Sequence, residues 1–310
     1  MPNVAFLGLG AIGEPMARHL ARPPFQLAVW NRTAEKARVF AEREGARLAS
    51  SPADAARGAE VVITCLPTSG DVASLLDGLD RGDGSDGLRA GLERGATLVD
   101  CTSGDPETSR RIAARLAEQG VAFLDAPVSG GVAGAEKGAL TVMCGGDADV
   151  LERVRPVLAA FGSRIVHCGA VGAGDAVKAV NQMLLAVHIW SAGEGLAVLA
   201  KAGISPAVAL EVINASSGRS NSSQNLIPER VLTRAFPRTF RLALLEKDVG
   251  IAAGAAREQG VPTPMLQLTA ELFRLARRAL GEEADHVEAV RVLEGWAGVE
   301  ISGREPGSTV

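Results

Sequence analysis

Three polar residues occupy one face of a predicted helix in the second half of the chain. Lys178, Asn181 and Gln182 lie at positions i, i+3 and i+4, so their side chains share one side of the helix. A helical lysine is ordinarily a solvated surface residue. Here the turn is otherwise apolar and follows the helix entry Gly172-x-Gly174, which places an ammonium beside one or two amides among aliphatic side chains. Such a set of groups could bind a polar ligand and exchange a proton with it.

Two further segments carry groups that could contact an anion. Ser129-Gly130-Gly131 follows a predicted strand, and two successive glycines let backbone N–H groups face an anion beside the Ser129 hydroxyl. The alternative for this segment is a simple strand-exit turn. Lys247 and Asp248 interrupt an apolar helix pattern, and the alternative for them is a salt-bridged surface turn.

The N-terminal segment has the spacing of a phosphate-binding turn. Gly8-Leu9-Gly10-Ala11-Ile12-Gly13 directly follows the apolar run Val4 to Leu7 and precedes a helix pattern from Glu14 to Ala21. The first glycine permits a tight turn, the second a close approach to a pyrophosphate, and the third close packing of helix on sheet. The N–H groups of the helix N-terminus then face the phosphates. A glycine-rich turn without a ligand is the alternative, but the strand-turn-helix context predicts a bound dinucleotide.

The residues after the second predicted strand, Leu27 to Trp30, bear on the choice of cofactor. An NAD site usually has an Asp or Glu there, which binds the ribose hydroxyls. This chain has Asn31, Arg32 and Thr33 instead, and a planar cation beside a neutral amide and a hydroxyl suits a phosphate dianion. We therefore predict NADP as the preferred cofactor and NAD as the alternative. Thr33 could also cap the following helix with Arg32 solvated, which is compatible with either cofactor.

Strand and helix patterns alternate along the first half of the chain, which predicts an α/β fold with a doubly wound parallel sheet. Further strand-like runs are Val61–Leu66, Thr97–Cys101, Ala122–Ala126, Leu140–Cys144 and Arg164–Cys168. Helix patterns lie between several of them, at Thr33–Glu44, Glu107–Gln119 and Ala148–Phe161. The polar, glycine-rich stretch Asp80 to Gly87 is expected to be an exposed loop without chemistry.

The second half has helix patterns only and is entered through one long helix, Ala176 to Ala202. Shorter helices are predicted at Pro206–Ile213, Arg241–Glu258, Met265–Leu280 and His286–Trp296. We therefore predict a Rossmann-type NAD(P)-binding domain over residues 1–168, an all-helical substrate and dimerisation domain over 169–301, and a frayed tail over 302–310. The cleft between the domains is expected to hold the chemistry, and the apolar long helix to pack against a second copy.

Composition narrows the class of protein further. The 310 residues are 47% hydrophobic and 22% charged with a net charge of −4, which is typical of a globular protein and gives no reason to expect nucleic acid or an anionic membrane as a partner. We expect neither a signal peptide nor an apolar run of membrane-spanning length. Four scattered cysteines and four scattered histidines lack metal-ligand spacing, so we expect no metal site and a cytoplasmic, reducing location.

Taken in this order, the motifs resemble the β-hydroxyacid dehydrogenase family, and closest are its members that act on 3-hydroxyisobutyrate. The resemblance covers the chain from Gly8 to about Ile301. The residues that carry it are Gly8-x-Gly10-x-x-Gly13 with Met16-Ala17, Leu66-Pro67, Asp125 to Gly131, Gly138-x-Leu140-Thr141, Gly172-x-Gly174-x-x-x-Lys178-x-x-Asn181, Asn214 to Ser220, and Lys247-Asp248. One position departs from the pattern, because the family commonly has Asn where this chain has Gln182.

The resemblance implies a role for each matching residue. It makes Lys178 the catalytic general acid and base, and Ser129, Gly130 and Gly131 the loop that binds the substrate carboxylate, with Asn181 or Gln182 orienting the hydroxyl. The residues that it implies around the cofactor, besides the turn from Gly8 to Gly13, are Leu66, Pro67, Thr102, Ser103, Lys247 and Asp248. From the apolar long helix we expect a homodimer or homotetramer, and we expect no nucleic acid or membrane partner.

The implied reaction is the NAD(P)-dependent oxidation of a small 3-hydroxy acid, 3-hydroxyisobutyrate, to methylmalonate semialdehyde by hydride transfer. One alternative is a tartronate or glyoxylate-type semialdehyde reductase, which the Gln182 position favours. A second is a non-catalytic dinucleotide-binding module. That module predicts a degraded catalytic position, whereas Lys178 and its amides are intact.

Overall fold

The apolar runs of the first half form one sheet, described by a computed structural model that covers residues 2–78 and 86–303. The predicted Asp80–Gly87 loop and the tail therefore lie mostly outside the described residues. Contacts divide the chain into two units, Met1–Lys178 and Ala179–Val310. The predicted domain boundary at 168/169 falls just before a helix, whereas the division between the units falls inside that helix.

The first unit contains nine strands among the described residues, and they pair into a single sheet. The strands are β1 Asn3–Leu7, β2 Gln26–Trp30, β3 Arg47–Leu48, β4 Val61–Thr64, β5 Thr97–Asp100, β6 Ala122–Asp125, β7 Val128–Ser129, β8 Leu140–Gly145 and β9 Gly162–Gly169. Their order is β3-β2-β1-β4-β5-β6-β8-β7, with β9 paired to β8. From β1 the strand order thus runs to one side through β2 and β3 and then continues on the other side with β4. Open α/β sheets bind ligands at the carboxyl ends of the strands at the point where the order changes side.

The sheet is parallel from β3 through β6, as predicted, and its far end contains antiparallel pairs that the sequence did not predict. Strands β6 and β7 both pair with β8 in antiparallel register. The connection from β7 to β8 spans only residues 130–139, which is shorter than the crossover of about a dozen or more residues that a parallel pairing needs, so the chain returns in the antiparallel direction. Strand β9 then pairs parallel to β8.

Alternate residues of the central strands pack into two different cores, which confirms the doubly wound architecture. Val4 and Phe6 of β1 belong to one buried cluster, whereas Ala5 and Leu7 belong to another. Helices cover both faces, so β4 and β5 are buried along their whole length. The helices of this unit are α1 Gly13–Leu20, α2 Ala34–Glu44, α3 Pro52–Ala56, α4 Ser69–Asp77, α5 Leu88–Gly91, α6 Pro106–Ala117, α7 Gly131–Glu136 and α8 Ala148–Leu158.

The second unit is helical throughout its described part and has its own apolar core, around Trp190, Leu245 and Phe273. Its helices are α9 Ala173–Lys201, which begins in the first unit, α10 Pro206–Asn214, α11 Leu242–Glu258, α12 Pro264–Leu280 and α13 Val290–Ala297. A π-helix, Ser222–Val231, and a 3₁₀-helix, His286–Ala289, complete it. The fold class predicted from the sequence is therefore confirmed, with the long helix three residues longer at its start than expected.

Helix α9 also corrects the expectation that no apolar segment reaches membrane-spanning length. The helix has 29 residues, and by length and composition alone it could cross a membrane. A core helix of a soluble protein passes the same test.

Candidate active site

The glycine-rich turn between β1 and α1 has the shape that a pyrophosphate requires. Gly8 has φ of +108°, and a Cβ there would lie 2.3 Å from the carbonyl oxygen of Cys65. A Cβ on Gly13 would strike the Gly8 carbonyl oxygen. At Gly10, by contrast, a Cβ would meet no protein atom within 4 Å. Gly8 and Gly13 thus permit a tight turn in which any side chain would clash with the backbone. Gly10 leaves open space where a ligand can approach the main chain.

The first N–H groups of α1 lie at the end of this turn. Ile12 is the N-cap residue and provides no side-chain hydrogen bond to them. The Glu14 N–H donates to the Gly10 carbonyl oxygen at 3.0 Å and Pro15 has no N–H, so it is the positive end of the helix dipole that favours a bound phosphate. The residues present therefore fit a dinucleotide.

Two loops that follow neighbouring strands are joined beside the turn. The Leu66 N–H, after β4, donates to Thr102 Oγ1, after β5, at 3.0 Å. Thr102 is itself held because its N–H donates to Asp100 Oδ1 at 3.1 Å. The structure therefore brings Leu66 and Thr102 to the same carboxyl edge of the sheet as the glycine turn, with Pro67 and Ser103 next to them in the chain.

The segment after β2 contacts the glycine turn directly. Asn31 Oδ1 accepts the Leu9 N–H at 2.9 Å, and Asn31 Nδ2 donates to the Thr33 carbonyl oxygen at 3.0 Å. Thr33 is the N-cap residue of α2, but its side chain makes no capping hydrogen bond. The Arg32 side chain is 78% exposed, with Nη1 3.8 Å from Asp71 Oδ1. Asn31 is thus engaged in shaping the turn, and Arg32 is the member of the trio whose charge is accessible to a ligand.

The Ser129-Gly130-Gly131 segment leaves the sheet at the antiparallel end. Ser129 ends β7 opposite Thr141 of β8, and the two glycines that follow are exposed. Gly130 and Gly131 have φ values of +137° and +64°, which strongly favour glycine. This backbone conformation turns the chain sharply into α7 and supports the expectation of a loop with accessible N–H groups beside the Ser129 hydroxyl.

The structure separates the polar residues of α9 by burial. Lys178, the last residue of the first unit, is 7% exposed, and Gln182, one turn further on, is 5% exposed. Asn181 is exposed, and its Nδ2 lies 3.2 Å from Gln182 Oε1 as a hydrogen-bond donor. A lysine buried to this degree departs from the ordinary helical lysine, which is solvated.

Within the second unit, Gln182 connects to the pair predicted on α11. Its Nε2 donates to Asp248 Oδ2 at 3.0 Å, and Lys247 Nζ lies 2.9 Å from Asp248 Oδ1. Asp248 is 2% exposed, whereas the Lys247 side chain is 23% exposed. Because the Asp248 carboxylate is buried, the alternative of a surface salt bridge does not apply. The carboxylate contacts both the Gln182 amide and the Lys247 ammonium.

Sequence reasoning missed the importance of the acids that end the strands of the first unit. Asp100 ends β5 and Asp125 ends β6, and each is at most 2% exposed. Burial raises the pKa of Asp100 to about 6, against hydrogen bonds from Thr102 and Thr64 that lower it, and Asp125 adds a repulsive charge. The signal was present in the sequence, because an acid that closes a fully apolar strand is costly unless it is hydrogen-bonded.

The cysteines do not assemble into a reactive or metal-binding group. All four are free thiols, and burial raises the pKa of Cys65 to about 12, as it does that of Cys144. Within residues 2–78 and 86–303, no cluster of three His, Cys, Asp or Glu side chains could hold a metal ion.

Comparison with known proteins places this fold and site in a class. The sequence-family model for the NAD binding domain of 6-phosphogluconate dehydrogenase matches residues 3–169. The model for the NAD-binding domain of NADP-dependent 3-hydroxyisobutyrate dehydrogenase matches residues 172–293. Together they cover nearly all of the described chain and define a two-domain, nicotinamide-dependent oxidoreductase.

Relatives narrow the class to a family. The chain is 35% identical over 303 residues to 2-(hydroxymethyl)glutarate dehydrogenase of Eubacterium barkeri, covering 97% of this chain and 98% of that protein. It is 38% identical over 283 residues to NAD-dependent L-serine dehydrogenase of Pseudomonas aeruginosa, covering 89% and 92%. A solved structure of Mycobacterium tuberculosis 3-hydroxyisobutyrate dehydrogenase with L-serine superposes with a TM-score of 0.84 at 30% identity, covering 94% of this chain and 99% of that one.

The chain therefore belongs to the β-hydroxyacid dehydrogenase family, as the motifs indicated. It is an NAD(P)-dependent β-hydroxyacid dehydrogenase.

Proposed function

We propose that this protein oxidises 3-hydroxyisobutyrate, or a 3-hydroxy acid of similar size, to the corresponding semialdehyde with NADP as the preferred cofactor. The observation that carries the proposal is the burial of Lys178, 7% exposed at the start of α9, in a chain with a cofactor turn of the right shape. Bound NAD(P) supplies the hydride acceptor.

Lys178 is assigned the proton transfer. Its amine takes the proton of the substrate hydroxyl during oxidation and returns it during reduction. A base that works near neutral pH needs its charged form disfavoured, and burial does this for an ammonium. Gln182 is assigned the orientation of the hydroxyl, because its amide is fixed by Asp248 at 3.0 Å, whereas Asn181 is exposed.

The substrate carboxylate is assigned to the segment Ser129 to Gly131. Its two glycines have backbone conformations with positive φ, and successive N–H groups in such a turn form a concave anion site beside the Ser129 hydroxyl. A carboxylate held there requires no cationic side chain. Lys247, Asp248 and the residues after β4 and β5 are assigned to the cofactor side.

A substrate panel tests the proposed reaction. We would follow reduced nicotinamide by absorbance with 3-hydroxyisobutyrate, L-serine and 2-(hydroxymethyl)glutarate in oxidation and tartronate semialdehyde in reduction, each with NADP and NAD. We expect the highest kcat/KM with 3-hydroxyisobutyrate. A higher value with tartronate semialdehyde would identify the reductase alternative, and cofactor binding without any turnover would identify a non-catalytic module.

The Lys178→Ala variant tests the assigned proton transfer. We expect kcat to fall about 10²–10⁴-fold while the cofactor Kd stays nearly unchanged, because the lysine acts on the substrate proton. Lys137→Ala, which removes an exposed lysine, is the matched control and should retain full activity. A loss below tenfold in Lys178→Ala would refute the role.

The preference for NADP is assigned to Arg32, whose guanidinium is exposed after β2. We expect Arg32→Ala to raise the Kd for NADP about tenfold and to leave that for NAD nearly unchanged. Asp71 lies 3.8 Å from Arg32 and competes for its charge, so Asp71→Asn should tighten NADP binding. Equal effects of Arg32→Ala on both cofactors, measured by fluorescence titration, would contradict the assignment.

We further propose a homodimer or homotetramer in which the second unit contributes an apolar contact. Val180 and Leu184 lie one turn apart on α9 and are 49% and 46% exposed, and Val208 and Val212 of α10 are 57% and 62% exposed. Exposed aliphatic side chains at helical spacing commonly mark contact surfaces. Light scattering should report an oligomer that dissociates in Leu184→Glu, and a monomeric wild type would contradict this proposal.

A further inference from the structure

Asp175 joins the helix that carries Lys178 to the loop after β5. The side chain lies in the first turn of α9, and the residue is 1% exposed. Its Oδ1 accepts the Gly104 N–H at 3.2 Å, and its Oδ2 accepts the Ser109 hydroxyl at 2.6 Å. Little room is left at Gly104, since a Cβ on it would lie 2.7 Å from Ser69 Oγ and 3.3 Å from both carboxylate oxygens. The contact therefore depends on a close approach of backbone to carboxylate.

Asp125 secures the same helix end from the end of β6. Its Oδ1 accepts the Gly172 N–H at 2.7 Å, and its Oδ2 accepts the Asp175 N–H at 3.0 Å. The first N–H groups of a helix have no partner within the helix and need one from outside. Asp125 supplies it, and Asp175 continues the connection through its side chain to Gly104 and Ser109. The start of α9 is thus held by two elements of the first unit.

The cofactor side of the same loop is held independently. Thr102 donates its N–H to Asp100 Oδ1, and Thr64 Oγ1 donates to that same oxygen at 2.8 Å. The bond from the Leu66 N–H to Thr102 Oγ1 involves neither Asp125 nor Asp175. Loss of the Asp175 contacts should therefore leave the residues assigned to the cofactor in place.

We propose that Asp175 is a positioning residue for Lys178. By fixing the first turn of α9 to the Gly104 backbone and the Ser109 hydroxyl, it fixes the point from which the Lys178 side chain extends, three residues further along the helix. A displacement of a reacting group by about 1 Å can cost about 10²-fold in rate. The inference rests on the proposed role of Lys178 in proton transfer, and goes beyond it by assigning the group that places the lysine.

Four variants test the inference in the full-length protein, with the best substrate of the panel. Asp175→Ala should lower kcat about 10–100-fold and change the cofactor Kd less than about threefold. The primary kinetic isotope effect on kcat, with deuterium at the carbinol carbon, should rise because chemistry becomes slower. Asp175→Asn should retain kcat within about threefold, since its amide oxygen accepts from Gly104 and its nitrogen donates to Ser109. Ser109→Ala, which removes one of the two contacts, should have a kcat between those of Asp175→Ala and Asp175→Asn.

Asp147→Ala is the matched control. It removes an aspartate whose side chain accepts the backbone N–H groups of Asp149 and Val150 at the start of α8. We expect it to keep kcat. The inference is overturned when Asp175→Ala or, if that variant does not fold, Ser109→Ala keeps wild-type kcat, or when Asp175→Asn loses as much as Asp175→Ala. Full activity of Lys178→Ala would instead overturn the proposed function, so the two failures are distinguishable.

Discussion

Buried carboxylates are stabilised in different ways in the two units. In the first unit, Asp175 receives a backbone N–H and a hydroxyl, and burial raises its pKa to about 8, helped by repulsion from Asp125. In the second unit, Asp285 is fully buried beside His286, whose Nδ1 is 3.0 Å from Asp285 Oδ1, and Arg230 lies 3.6 Å from the same oxygen. Although burial acts to raise the pKa of Asp285, hydrogen bonding and charge from His286 hold it well below its usual range.

The difference shows that burial alone does not set the charge of an acid. Two carboxylates at most 1% exposed have pKa values on opposite sides of the ordinary one because their partners differ. Neutral donors can be satisfied by a protonated or an ionised acid, whereas a cationic partner favours the ionised form. The same contact geometry can therefore be retained by an amide in the first unit but not in the second.

The largest expected effect is a loss in the free energy of unfolding of the second unit when Asp285 is replaced. Asp285 Oδ2 accepts the N–H groups of Thr239 and Phe240 at 2.9 and 3.0 Å, so Asp285→Ala removes a hub and leaves the largely buried Arg230 guanidinium without its carboxylate. We expect a loss of about 3–5 kcal/mol in the free energy of unfolding. Urea denaturation in a Trp30→Phe background, where Trp190 and Trp296 report only on the second unit, measures it. A loss no larger than the ~1 kcal/mol expected of a removed helix cap would break the comparison.

A smaller effect on the free energy of unfolding is expected at Asp175. Its pH dependence is opposite in sign to the one expected at Asp285. Its carboxyl has a raised pKa in the folded state, so between about pH 4 and pH 8 the folded state holds a proton that the unfolded state has lost. Stability of the first unit should therefore fall as the pH rises through this window, by more than about 2 kcal/mol. Asp175→Asn removes this titration while Asp100 and Asp125 still titrate. Urea denaturation followed at Trp30, with Trp190 and Trp296 changed to Phe, should give a flatter profile, and an unchanged profile would contradict a protonated Asp175.

Asp285 should act in the acid range instead. A lowered folded-state pKa contributes stability that is present above the unfolded pKa of about 4 and is lost as the pH falls. The slope cannot exceed about 1.4 kcal/mol per pH unit for one proton, and we expect about 1 kcal/mol between about pH 5 and pH 3.5. Comparing wild type with Asp285→Asn in the Trp30→Phe background measures this contribution, and parallel profiles would refute it.

The smallest effect is expected at an exposed carboxylate with a cationic partner. Glu107 Oε1 lies 3.1 Å from Arg111 Nη1 at i, i+4 spacing on α6, and both side chains are about 60% exposed. Glu107→Gln should cost about 0.3–0.5 kcal/mol and less at high salt, because solvent screens the pair. Thermal unfolding at low and high salt measures it. A cost close to that of Asp285→Ala would show that the cationic partner, and not burial, determines how much a carboxylate contributes to stability.

Most of the architecture could be predicted because its signals are local. Apolar runs such as Val61–Thr64 between helix patterns indicate buried parallel strands, and the long helix follows from an unbroken apolar pattern. The antiparallel pairing of β6 and β7 with β8 was not predicted, since it follows from the length of one connection. The π-helix Ser222–Val231 was missed altogether, because its internal Pro228 argues against a helix in the sequence.

The site was predicted where a motif states it and missed where it depends on distant contacts. The glycine turn, Lys178 and Gln182 follow from spacing, although burial, which separates Gln182 from Asn181, does not. Asp125, Asp175 and Ser109 are 16 to 66 positions apart from one another, and only the fold brings them together. Asn31 was assigned to the cofactor from charge alone, whereas its carboxamide is bonded to the glycine turn.

The bond from Leu9 N–H to Asn31 Oδ1 and the bond from Leu66 N–H to Thr102 Oγ1 both bear on the entropy of cofactor binding. Each fixes a loop after one strand to a loop after its neighbour before any ligand arrives. Ordering a free loop on binding costs about 0.5–1.5 kcal/mol per immobilised side chain, and a preorganised edge has already met that cost during folding. Calorimetry should therefore show a more unfavourable binding entropy for NADP in Asn31→Ala than in the wild type.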